Sequence, residues 1–180
     1  MASVLLLDGF SEDSAYVDGK TPQDLENIFL PFLQSLLLYN GIDAEIFKQK
    51  GIEWDYKIIG KTDKNLIYLP IFSATDNVSS KISFIYTDTT APESVSFRIA
   101  SSIRRNCEEV DSEKVVFINA LHERDNFKRY SPIIVDNLRI SNESTEFLKT
   151  EEMLFKRAGI IAKSICEFYE GFFRKPQMWV

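Results

Sequence analysis

Three aspartates stand where chemistry most often gathers in a chain of alternating strands and helices. Asp8 follows the apolar run 4–7, Asp88 follows 82–86, and Asp136 follows 133–135. In open α/β sheets, ligands collect beyond the carboxyl ends of the strands. Three acids there could hold a hard cation such as Mg²⁺ or Ca²⁺, with Asp136 or Glu12 as general base. The competing reading is that aspartate ends strands because it caps the turn that follows. The rest of the inventory is thin. The single histidine, His122, sits in the polar stretch Leu121-His122-Glu123-Arg124-Asp125, so a mechanism needing two imidazoles is excluded. Ser11 and Ser14 lack the Gly-x-Ser-x-Gly elbow of a nucleophilic serine. The glycines are too scattered to build a phosphate-cradling loop. Cys107 and Cys166 fall on predicted core stripes of helices, and two distant thiols make neither a disulfide framework nor a four-thiolate zinc site. Arg104-Arg105 and Lys128-Arg129 read as solvated basic pairs.

The elements that must position these residues are legible from periodicity. Residues 4–7 are a continuous apolar run, the pattern of a strand buried on both faces. A polar loop over 9–20 leads to Thr21-Pro22-Gln23-Asp24, which announces a helix by cap, first-turn proline and N-terminal acid. Leu25, Ile28, Phe29, Phe32, Leu33, Leu36 and Leu37 then share one face, Pro31 is expected to kink the helix, and Asn40-Gly41 ends it. Further strands are expected at 44–47, 66–71 (ended by Pro70), 82–86, 115–118 and 133–135; residues 54–60 are ambiguous. A helix from Glu93 turns Val95, Ile99, Ile103 and Cys107 inward. A last one from about Glu151 carries Leu154, Ala158, Ile161, Ile165 and Phe168, and Arg174-Lys175-Pro176 closes it. The reading is a single α/β domain over 1–180, with a mostly parallel or mixed central sheet flanked by helices.

At 180 residues, 44% hydrophobic and 27% charged, the composition is that of a globular protein with material for a large core. A net charge of −6 argues against a nucleic-acid binder, which needs a basic face to displace counterions. With neither a transmembrane-length segment nor a secretory signal, no membrane association is expected. The expected location is cytoplasmic, with a phage particle or non-classical export as alternatives.

One stretch resembles a known family. Ser131-Pro132-Ile133-Ile134-Val135-Asp136-Asn137-Leu138-Arg139-Ile140-Ser141-Asn142 is similar to the late strand of the zinc-dependent N-acetylmuramoyl-L-alanine amidases of bacterial and phage cell-wall lysis. Theirs reads Pro, three apolar residues, Glu, four more residues, then Ser-Asn. A short acidic stretch and a long terminal helix follow there, as in 143–172 here. Upstream, Val4 to Asp8 resembles their first strand, Asn40 to Ile46 the end of their first long helix and their second strand, Ile67 to Thr75 the strand bearing their Ser-Ile-His-Ala-Asn motif, and Ser83 to Glu109 their next strand and helix. The likeness spans nearly the whole chain and implies the cell-wall amidase fold. It also implies a zinc held by two histidines and a glutamate, with an open position for the attacking water. This chain departs at those places. Phe10 or Ser11 stands at the first histidine position and Phe72, in Pro70-Ile71-Phe72-Ser73-Ala74, at the second. The metal glutamate falls among Pro22, Gln23, Asp24 and Glu26. The catalytic glutamate maps onto Asp136, one methylene shorter. His122 lies outside both histidine positions.

The resemblance therefore implies a catalytically inactive amidase-fold protein with no cofactor, zinc not expected, and a degenerate former site at Phe10, Ser11, Phe72 and Glu26. Such a chain would be a binding or structural module for a peptidoglycan fragment or a partner protein, as in a phage- or injection-type assembly, or would self-associate. A hydrolase with a Mg²⁺ or Ca²⁺ site on Asp8, Asp88 and Asp136 is the alternative from another class. A divergent active zinc amidase using His122 is a third. The tail Gln177-Met178-Trp179-Val180 is expected to pack on the domain, with an intermolecular contact as the alternative.

Overall fold

The computed structural model describes residues 1–9, 11, 13, 20–48, 62–75, 82–111, 113–119, 133–141 and 147–177. Because Val4-Leu5-Leu6-Leu7 has no polar residue on either side of the pleat, it can sit only in the middle of a sheet. It does: β1 (Ser3–Asp8) is buried along its whole length, pairing in parallel with β2 (Asp43–Lys48) on one side and β3 (Leu66–Thr75) on the other. β6 (Ile133–Ser141) continues the parallel set beside β3. β4 (Ile82–Thr87) then runs antiparallel to β6 and parallel to the edge strand β5 (Lys114–Asn119). The order is β2-β1-β3-β6-β4-β5, a mixed sheet.

The two faces of the sheet are both apolar. Val4, Leu6, Tyr68, Phe72, Ile85, Ile134, Leu138 and Ile140 belong to a core shared with three helices. These are α1 (Pro22–Tyr39), α2 (Val95–Asp111) and α3 (Phe147–Glu170), with α3 in contact with both of the others. Leu5, Leu7, Ile67, Leu69 and Val135 form a second buried cluster on the opposite face. No helix among the described residues is long and apolar enough to cross a membrane.

α1 starts as its sequence dictates. The Thr21 hydroxyl accepts from the Asp24 amide at 3.1 Å, and the Asp24 carboxylate accepts from the Thr21 amide at 2.8 Å, a reciprocal capping box. The helix runs through Pro31 to Tyr39, and the left-handed backbone at its end falls on Gly41, with φ of 80°. The buried Asn40 side chain then ties this end to the segment after α3: it accepts from the Arg174 amide at 2.6 Å and donates to the Arg174 carbonyl at 3.2 Å.

Two strands outrun their expected ends. β3 passes through Pro70, which stands opposite Asp136, and continues to Thr75. β6 continues past Val135 because Asp136, Leu138 and Ile140 keep a strict two-residue alternation with Asn137 and Arg139. Asp136 is consequently mid-strand rather than at a strand terminus. α3 begins at Phe147, a turn earlier than the expected start near Glu151. The ambiguous stretch 54–60 lies outside the described residues.

Candidate functional site

β1 ends in a sharp turn at Gly9, whose φ of 107° only glycine adopts without strain. The first turns of α1 pack against this turn, and Glu26, fully buried, reaches into it. The Gly9 amide donates to Glu26 Oε1 at 3.1 Å. The Ser11 hydroxyl donates to Glu26 Oε2 and accepts from the Phe72 amide of β3 at 2.8 Å. One hydroxyl thus joins the end of β1, the start of α1 and the far part of β3. Phe72, also buried, packs edge-on against Phe29 of α1 with ring centroids 5.2 Å apart. Burial pushes the Glu26 carboxyl up from 4.5 to about 8; the hydrogen bonds from Ser11 and Gly9 work against that rise, and the neighbouring Asp8 adds to it. Glu26 is therefore mostly uncharged at neutral pH.

Of the four residues left open for the metal-glutamate position, Glu26 alone has its carboxyl at this corner. Asp24 is spent in the capping box and Pro22 opens the helix. Gln23 donates to Asp8 Oδ1 at 2.9 Å. Of the two residues at the first histidine position, Ser11 meets Glu26, and Phe10 lies outside the described residues. Zinc requires imidazole, thiolate or carboxylate donors, usually at least three of them from the protein. A neutral carboxyl, a hydroxyl already bonded on both sides and a phenyl ring do not fit it.

Asp136 occupies a different environment. Its Oδ2 accepts from the Tyr68 hydroxyl at 3.0 Å and from Arg157 Nη2 at 2.6 Å. Arg157 comes down from α3 and also pairs through Nη1 with Glu113 at 3.0 Å, while donating to the Cys107 sulfur. Glu113 in turn accepts from the Ser83 hydroxyl. All three charged side chains are 2% exposed. Burial works against the Arg157 charge, but Asp136 and Glu113 outweigh it and hold its pKa well above the ordinary value. Tyr68 is likewise pushed well above the usual phenol range, by burial first and by Asp136 second. A carboxylate held in this way is committed to internal ion pairing.

Arg157, Glu113 and Tyr68 were not singled out from the sequence. The signal for Arg157 was available: it lies three residues after Leu154 and four before Ile161, on the apolar stripe of α3, where an unpaired cation could not be buried.

The three-aspartate cation site does not assemble, for a reason of strand direction. β4 runs against β6, with Tyr86 opposite Val135, so Asp88 falls level with the start of β6, whereas Asp8 and Asp136 stand level with each other farther along the parallel strands. There it accepts from the Thr90 amide at 2.9 Å and the Thr90 hydroxyl at 2.6 Å, a turn-forming role. Asp8 and Asp136 are separated by β3, two strand spacings or roughly 10 Å. No group of three metal-ligating side chains occurs among the described residues. Glu12, Ser14, His122, Lys128-Arg129 and the tail residues Met178, Trp179 and Val180 lie outside them. Cys107 and Cys166 are buried and unbridged, and burial pushes the Cys166 thiol up to about 12.

No protein-family model and no curated protein sequence matches the chain. Solved structures do match in fold. The N-acetylmuramoyl-L-alanine amidase AmiC2 of Nostoc punctiforme superposes with a TM-score of 0.70 at 15% identity, over 94% of this chain and 97% of that one. The catalytic domain of the amidase CwlV of Bacillus (Paenibacillus) polymyxa var. colistinus gives 0.69 at 14% identity, over 94% and 99%. The CwlD amidase of Clostridioides difficile, solved in complex with the GerS lipoprotein, gives 0.66 at 13% identity, over 95% and 100%. The chain has the fold of these N-acetylmuramoyl-L-alanine amidases.

Proposed function

We propose that this chain is a catalytically inactive protein of the cell-wall amidase fold, working as a binding or structural module. One observation carries the reading. The Ser11 hydroxyl bridges the Glu26 carboxyl and the Phe72 amide, so the corner where that fold would grip a metal is closed by hydrogen bonds among residues that cannot replace two imidazoles. The position of the catalytic glutamate is filled by Asp136, whose carboxylate is held by Arg157 and Tyr68. Scaffolds host functions through grafted sites, and loss of a site leaves the scaffold free for recognition. The partner in this reading is a protein or a peptidoglycan fragment. The Clostridioides difficile amidase in complex with a lipoprotein supports the first, because a domain of this fold docks a protein there. The second is supported by the activity for which the structural neighbours are named, N-acetylmuramoyl-L-alanine amidase.

The test is a zinc titration by calorimetry on chelator-treated protein, together with turbidity assays on purified cell walls. The reading expects no stoichiometric tight binding and no clearing. Tight one-to-one zinc binding accompanied by cell-wall hydrolysis would overturn it.

A further inference from the structure

The basic residues of α2 group differently in space from the way they pair in sequence. Arg104 is paired with Glu108 at 3.2 Å. Arg98, Ser101, Ser102 and Arg105 instead follow the i, i+3, i+4, i+7 spacing of one helical face, the two arginines about 10 Å apart along the axis. This stripe lines a cleft of about 420 Å³ whose other wall is Glu167 and Phe168 of α3. The Arg98 guanidinium lies 4.9 Å from the centroid of the Phe168 ring, and Arg105 donates to the Ser102 hydroxyl at 3.3 Å. Both arginines are exposed, and among the described residues neither has a carboxylate within ion-pairing distance. The one acid among the described residues of the wall, Glu167, faces Lys163 at 3.9 Å. In a chain of net charge −6, two guanidiniums with no carboxylate partner among the described residues, beside an aromatic ring, are a local excess of positive charge in a concave, part-apolar setting.

We infer that this cleft between α2 and α3 binds an oxyanion, carboxylate or phosphate, carried on an apolar body. Arg98 and Arg105 take the charged group, with the Ser101 and Ser102 hydroxyls as neighbouring donors. The Phe168 ring and Pro92 take the apolar body. Glu167 opposes the charge and tunes the affinity downward. The cleft lies at the C-terminal half of α3, the end that Arg174 ties to Asn40 at the close of α1, whereas Glu26 belongs to the opening turns of α1. Binding here is independent of the Ser11–Glu26 corner.

Calorimetric or NMR titration of the full chain at fixed ionic strength tests this, with phenyl phosphate, 3-phenylpropionate, inorganic phosphate and benzylamine as probes. The two aromatic anions are expected to bind, inorganic phosphate more weakly, and benzylamine not at all. Arg98→Gln and Arg105→Gln should each weaken the aromatic anions by about fivefold or more, and Glu167→Gln should strengthen them by about twofold. Circular dichroism and the melting temperature establish that each variant is folded. Benzylamine binding like the anions, folded arginine variants with unchanged affinity, or weaker binding in Glu167→Gln would each overturn the assignment. Tighter binding of phenyl phosphate than 3-phenylpropionate would identify the phosphate as the preferred oxyanion, and the reverse the carboxylate; either supports the site.

Discussion

Glu26→Gln should remove a slope from the dependence of stability on pH. The Glu26 carboxyl has its pKa raised by burial from 4.5 to about 8. Below the lower value the group is protonated in both folded and unfolded chains and contributes no difference. As pH rises through the interval, the unfolded chain ionises while the folded chain stays neutral. Each unit of pH then favours unfolding by about 1.4 kcal/mol. The loss is complete once pH exceeds the folded value, and over the whole interval it approaches about 5 kcal/mol, an upper figure because a folded protein relaxes around a buried charge. Glutamine keeps an acceptor for the Gly9 amide and offers a donor to the Ser11 hydroxyl, and it cannot ionise. Urea unfolding of both proteins at half-unit steps between about pH 5 and about pH 9 isolates the effect, since every other titration is common to the pair. The expected result is near-equal stability at the acid end and a growing advantage for the variant toward the alkaline end. Parallel profiles would show that Glu26 ionises as an ordinary carboxylate, and the account of this corner as a neutral, closed knot would be wrong.

Three further outcomes follow from the geometry. Arg157→Leu leaves Asp136 and Glu113 buried without their shared cation, and should cost about 3–5 kcal/mol in a urea titration. Asn40→Ala removes the side-chain bonds to Leu36 and Arg174, and should cost about 2 kcal/mol while loosening amide protection after α3 in hydrogen exchange. The double change Ser11→His with Phe72→His should create zinc binding absent from the parent. Its affinity should be micromolar or tighter and should rise with pH until Glu26 has lost its proton, which competes with the metal.

The parts of the fold that could be read from the sequence are those governed by local rules. Four apolar residues in succession placed β1 in the interior, and the reciprocal cap at Thr21 and Asp24 fixed the start of α1. What could not be read depends on relations between distant segments. Nothing within Ile82–Thr87 specifies that β4 should run against β6, and that one direction carries Asp88 toward the start of β6, away from Asp136. Pro70 reads as a strand end by its missing donor, yet β3 continues through it along the full length of β6. The corner around Glu26 was legible only through the resemblance, because a serine, a glutamate and a phenylalanine at spacings of fifteen and forty-six residues form no local motif. The Arg157 network shows the opposite failure: its signal was local, a cation on an apolar stripe, but its partners lie on β6 and beside β5.

In the proposed inactive reading, the carboxyls of Asp136 and Glu26 are withheld from chemistry by different means. Asp136 is engaged through Oδ2 with Arg157 and Tyr68; withdrawing it would strand a guanidinium and a second carboxylate in the core. Glu26 is held mostly uncharged by burial. A pKa of about 8 would suit a general acid, but both of its oxygens are engaged with Gly9 and Ser11, and the side chain has no exposure to a substrate. A metal recruited here at neutral pH would first have to remove that proton, about 1.4 kcal/mol for each unit below the folded pKa. It would then have to break the two bonds of the Ser11 hydroxyl, about 1 kcal/mol each. In a zinc site such costs are offset by nitrogen donors, and at this corner a phenyl ring stands in their place. The barrier to metal binding therefore lies in the missing donors more than in the closed hydrogen bonds. For that reason the paired histidine substitutions, and not removal of Ser11 alone, are the change that should create a metal site.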